Sequence, residues 1–124
     1  MRPEVPKWLE DIRDSAEYII SATRYKDLDG YAADRTLRQA VERNFEIIGE
    51  ALNRISRSDA AAAERLGNYR QIIAFRNVLV HGYDHIEVEI VWRVIQGRLP
   101  DLLRAVDGLL REATAGPDEH QGKK

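Results

Sequence analysis

Cysteine is absent from the 124 residues, which excludes disulfides and thiolate metal sites and fits a reducing compartment. The chain has no apolar run of the roughly 18 residues that a membrane-spanning helix needs. Its first residues, Met1 to Lys7, carry no apolar signal stretch. A soluble, cytoplasmic protein with no membrane partner is therefore expected. A glycine-rich phosphate loop, a nucleophile elbow and paired catalytic carboxylates are also missing, which removes the commonest nucleotide-hydrolase and acyl-transfer signatures. Helical periodicity dominates, and no convincing alternating strand stands out. The formal net charge of −2 argues against an indiscriminate polyanion binder.

What remains is a chain of single-domain length, long enough for one real core. Its charge is unevenly placed: residues 35–76 carry eight arginines against five acids, whereas both flanking stretches are acidic. Arginine outnumbers lysine 15 to 4, a ratio that suits bidentate phosphate contact but equally follows from a GC-biased genome.

Apolar residues recur at helical spacing throughout. Trp8, Leu9, Ile12, Ala16, Ile19, Ile20 and Thr23 define one amphipathic helix, and the segment KDLDGY at Lys26–Tyr31 is expected to break it. Asp34 is a candidate N-cap for a long second helix on which Leu37, Val41, Phe45, Ile48, Leu52 and Ile55 share a face. Ser58 or Asp59 caps a short alanine-rich helix that Gly67 and Asn68 stop. A fourth helix runs from about Tyr69 to His81, ending at Gly82. The last apolar stripe, Val91, Ile95, Leu99, Leu102, Val106 and Leu109, keeps its phase through Pro100, which predicts one kinked helix or a new start there. The fold class expected is all-α: a bundle of about five helices in one domain over residues 1–113, its longest helices near 34–57 and 87–112, with a disordered tail at 114–124.

The fourth helix carries the unusual residues. On a helical wheel Ile72, Phe75, Val78 and Leu79 fill one side, and Ile73 with Val80 adds a second apolar sector. A polar wedge holds Arg70, Asn77 and His81, the last two stacked four residues apart. A helix apolar nearly all round is buried on most sides, in the fold or across a subunit interface. Arg76 projects between the two apolar sectors, where an unpaired guanidinium would cost several kcal/mol, so an anionic or polar group is expected to meet it. A lone arginine or histidine in such a place is ordinarily structural; three such residues at one helix end are less easily so. Asn44, amid the apolar face of the second helix, is either a satisfied core amide or part of the same polar pocket. A metal site can be drawn from His81, His85 and Asp84, but Gly82 interrupts the helix before that face is complete and His120 lies in the tail, so no metal and no other cofactor is expected.

The stretch Arg76-Asn77-Val78-Leu79-Val80-His81-Gly82-Tyr83 resembles the R-X4-H-X-Y signature of HepT-like HEPN toxins. Arg38–Ser56 resembles that family's second helix and Val88–Leu103 its last, so the likeness covers about residues 8–112. It implies a HEPN-like bundle that dimerises with the motif helix at the cleft between protomers. It also implies a metal-independent endoribonuclease, the toxin of a type VII-like toxin–antitoxin module, with Arg76, Asn77 and His81 as catalytic residues. The RNA's own 2′-hydroxyl attacks the adjacent phosphate and leaves a 2′,3′-cyclic phosphate. The residue types suit that chemistry. A histidine's ordinary pKa of about 6.5 suits His81 to act as acid or base, Arg76 offers a fork of donors to phosphoryl oxygens, and Asn77 can orient His81 or donate to phosphate. The partner implied is a minimal nucleotidyltransferase antitoxin that silences the toxin by AMPylation of Tyr83. Without the family, Tyr83 reads as an ordinary tyrosine covering a helix end. A competing reading is a non-catalytic helical module that binds nucleotide or a partner protein, because fold alone does not settle function.

Overall fold

The structure is a computed structural model that describes residues 1–80 and 88–121, with the backbone alone for Val80 and residues 115–121. Among the described residues every regular element is a helix: α1 Val5–Thr23, α2 Leu28–Ala33, α3 Arg35–Ser58, α4 Ala60–Glu64, α5 Tyr69–Val80, α6 Val88–Arg93 and α7 Leu99–Gln121, with one π-helical turn, Val94–Arg98, between the last two. The all-α expectation holds. α7 takes in residues 114–121, set apart above as a tail.

Aspartates set three helix starts in succession, those of α2, α3 and α4. Asp34 accepts from the backbone N–H of Leu37 at 3.0 Å and Asp59 from that of Ala62 at 3.1 Å, each satisfying a donor that the first helical turn cannot. Asp59 also takes the backbone N–H of Arg2 at 2.9 Å, pinning the start of the chain to the α3–α4 junction. α1 ends at Thr23, so the helix is broken at KDLDGY as expected, but the segment also starts a helix of its own. Asp27 accepts from the Gly30 N–H at 2.8 Å and caps a short helix, α2, so the residues that signal a break act as a cap. This turn buries Tyr31 completely, with its ring 5.4 Å from that of Trp92. Gly67, at φ +68°, supplies the left-handed residue that lets the chain reverse between α4 and α5.

α1 lies against both α3 and α7, and α5 packs on α3. The core is the meeting of their apolar stripes: Leu9, Ile12 and Ile19 of α1, Phe45, Ile48, Leu52 and Ile55 of α3, and Leu99, Val106 and Leu109 of α7 are all essentially inaccessible. Phe45 and Phe75 meet edge to face at 5.1 Å, which fixes α5 on α3.

The π-helical turn resolves the question posed by Pro100. A proline ring clashes with the carbonyl four residues back, here that of Gln96. The chain instead widens one turn just before the proline, the backbone N–H of Leu99 reaching back to the Val94 carbonyl. The helical path thus continues through Pro100, and its apolar stripe stays on the core. None of the helices is long and apolar enough to cross a membrane, as far as the described residues go.

Candidate active site

α5 is less enclosed than its composition suggests. Ile72 and Leu79 are buried and Ile73 and Phe75 partly so, but Val78 is 41% exposed and Ala74 and Asn77 face outward. The apolar surface expected to be buried in the fold or across a subunit interface is therefore partly uncovered in the single chain.

Arg76 finds the anion that its position demanded. Its Nη2 donates to Glu50 Oε1 at 3.2 Å and its Nη1 to Asn77 Oδ1 at 3.1 Å. Its Nε is buried without a hydrogen-bond partner among the described residues. Glu50 is itself shared, because its other oxygen accepts from Arg54 Nε at 3.1 Å. The approach is possible because of the residue before Glu50. Gly49 sits buried in the middle of α3, and a Cβ built on it would lie 2.3 Å from Arg76 Cβ and 2.4 Å from Cγ. The stem of Arg76 thus lies directly on the α3 backbone, and its head turns outward with the side chain 25% exposed.

That head borders a groove of about 320 Å³ along α3, which Trp8 and Asp11 of α1 wall on one side and Glu46, Glu50 and Arg54 line along its floor. A guanidinium held on two edges, with open space before it, can present its remaining N–H groups to a phosphoryl oxygen.

Of the residues singled out in the sequence, the structure joins Arg76 to Asn77. His81 and Tyr83, with Asp84 and His85, lie outside the described residues. Asn44 donates to the Ala40 carbonyl at 2.8 Å within its own helix, so it is a satisfied amide and does not join the Arg76 cluster. Arg70 pairs with Glu64 at 2.9 Å and belongs to the α4–α5 corner. Sequence patterning does not single out Glu50 or Gly49. The one signal for them is a glycine inside a strongly amphipathic helix, which marks a close backbone approach.

A family model described as ribonuclease HepT-like matches residues 12–109. The chain belongs to this family. Its similarity to curated proteins runs along most of both chains. A protein of Thermococcus cleftensis described as "Probable ribonuclease HepT" is 30% identical over 77% of this chain and 86% of its own. Two others, each described as a "Putative RNase", come from Methanocaldococcus jannaschii and Caldanaerobacter subterraneus. The first is 29% identical over 84% of this chain and 94% of its own, the second 26% over 85% and 93%. No solved structure matches the chain significantly. This HepT-like ribonuclease assignment makes RNA the substrate class.

Proposed function

We propose that this HepT-like chain is a metal-independent endoribonuclease that cleaves RNA by attack of the 2′-hydroxyl on the adjacent phosphate. The observation that carries the reading is the guanidinium of Arg76, fixed by Glu50 and Asn77 at the edge of an open groove, five positions before His81 in the sequence. In the reaction the 2′-oxygen bonds to phosphorus, the bond to the 5′-oxygen breaks, and one proton leaves the attacking oxygen while another reaches the leaving one. Arg76 neutralises the charge gathering on the non-bridging oxygens. Imidazole, with an ordinary pKa near 6.5, is suited to moving those protons. A single His81 cannot easily stand on both sides of the phosphorus, so a twofold dimer supplies base and acid from two protomers. The exposed Val78 on the motif helix supports such a partner.

The test is cleavage of single-stranded RNA by the purified protein in EDTA. Products ending in 2′,3′-cyclic phosphate and 5′-hydroxyl are expected, and RNA methylated at the 2′-oxygen of the cut site should survive. Activity that vanished in EDTA and returned with added metal would refute the mechanism.

In the cytoplasm the enzyme acts as the toxin of a type VII-like toxin–antitoxin module, silenced by a minimal nucleotidyltransferase. The Tyr83 oxygen attacks the α-phosphorus of ATP, pyrophosphate leaves, and the phenolic proton is lost. The product carries a new phosphodiester anion and an adenosine, which compete with substrate phosphate for Arg76. Other acceptors can be distinguished: Tyr31 and Tyr69 are buried, whereas Tyr18 and Tyr25 are 47% and 93% exposed. Intact-mass analysis after incubation with the partner enzyme, ATP and magnesium should show AMP on Tyr83. Tyr83→Phe should keep much of the ribonuclease activity and escape silencing. AMP found on Tyr18 or Tyr25 in place of Tyr83 would contradict this assignment.

A further inference from the structure

The α3 carboxylate that meets Arg76 belongs to a different element from the motif, and nothing in the motif's spacing calls for it. Glu50 lies one residue beyond the glycine that receives the Arg76 stem, and its two oxygens are divided between two guanidiniums: Oε1 accepts from Arg76 at 3.2 Å and Oε2 from Arg54 at 3.1 Å. Two features distinguish this arrangement from an incidental surface ion pair. A carboxylate held by one arginine alone would cancel that arginine's pull on a phosphate, whereas Glu50 is divided between Arg76 and Arg54 and so holds Arg76 without spending its whole charge on it. In addition, Arg76 is pinned at both ends. Its stem rests on the Gly49 backbone and its Nη2 on Glu50, so the long side chain has lost most of the rotamers that would move its head. Asn77, exposed and adjacent in sequence, holds only Nη1 and sits on the same helix, so it cannot fix the head relative to α3.

We propose that Glu50 is a positioning residue for the reaction: it aims the Arg76 guanidinium at the scissile phosphate, while Arg54 shares its charge. The inference rests on the ribonuclease reading above. Glu50 does not touch substrate; it acts through Arg76, and this makes its signature different from that of a structural residue. Glu50→Ala should lower kcat by about ten- to a hundredfold, the loss expected when a reacting group is misplaced by ~1 Å, while KM changes less. Glu50→Gln keeps an acceptor for Nη2 and should fall between wild type and the alanine variant.

The experiment is a double-mutant cycle on RNA cleavage with wild type, Glu50→Ala, Arg76→Ala and the double variant, each checked for native helicity by circular dichroism. Where Glu50 works through Arg76, the double variant cleaves no more slowly than Arg76→Ala alone. Independent, multiplying losses would assign Glu50 a purely structural role and overturn the inference, as would a Glu50→Ala variant as active as wild type. Should Glu50→Ala fail to fold, Glu50→Gln takes its place in the cycle with the same expected non-additivity. Absence of cleavage by folded wild type is a separate result: it overturns the ribonuclease reading and this inference with it, whereas cleavage by wild type with additive losses overturns the inference alone.

Discussion

His81→Ala is expected to abolish RNA cleavage, and Arg76→Ala to reduce it by about a hundredfold or more, the cost of one strong donor to a developing oxyanion. The two losses differ in kind. Removing the imidazole takes away the proton carrier, and the other two histidines stand elsewhere in the sequence, His85 four residues on and His120 far along the chain. Removing the guanidinium leaves proton transfer intact but strips charge from the transition state, and a hundredfold corresponds to about 2.7 kcal/mol. Arg76→Lys should rescue little. Lysine keeps the charge but loses the planar fork whose separate edges hold Glu50, Asn77 and substrate at once. The pH profile gives a further check. With one imidazole acting as base and the other as acid across a dimer, kcat/KM follows a bell centred near neutral pH. Single-turnover cleavage of a labelled RNA across pH measures all four expectations. A His81→Ala variant with near-native rate would remove histidine from the mechanism.

The fold was legible because its signals are local. Asp34 and Asp59 are N-caps in the structure as in the sequence, since an aspartate before an apolar-periodic stretch satisfies backbone donors that nothing else nearby can reach. The stripe through Pro100 kept its phase because packing against α1 holds Leu99 and Leu102 in place, and the backbone absorbed the proline by widening a turn. KDLDGY breaks the first helix as read, but aspartate and glycine mark helix starts as well as breaks, and the short α2 that buries Tyr31 beside Trp92 rests on a contact between residues distant in sequence. The candidate site was legible by half. Burial arguments required an anion opposite Arg76, yet no spacing rule could name Glu50, because the pairing of α3 with α5 depends on where Gly49 lets the two helices close.

That closure makes Gly49→Ala the most telling single substitution in the protein. In an ordinary helix interior, glycine to alanine stabilises by about 1 kcal/mol, since alanine restricts the unfolded chain and the helix favours it. Gly108 in α7 is such a place: a Cβ there meets only the flexible end of Arg111, at 3.9 Å. Gly108→Ala is therefore expected to raise the unfolding midpoint. At Gly49 the same methyl group would lie 2.3 Å from Arg76 Cβ, well inside the roughly 3.5–4.0 Å of carbon–carbon contact. The atom it strikes is fixed to the α5 backbone and cannot swing aside, so α3 and α5 must part. Overpacking of this kind costs about 1–3 kcal/mol, which offsets or exceeds the propensity gain. The separation also lifts Arg76 from Glu50, whose hydrogen bond is already 3.2 Å long. Gly49→Ala should accordingly unfold at lower denaturant than Gly108→Ala, and its RNA cleavage should fall about tenfold or more from displacement of Arg76. Denaturant midpoints for the two variants beside wild type, with cleavage rates measured on the same samples, test both parts. If Gly49→Ala were as stabilising as Gly108→Ala and cleaved RNA at the native rate, the close seat of Arg76 on α3 would be disproved.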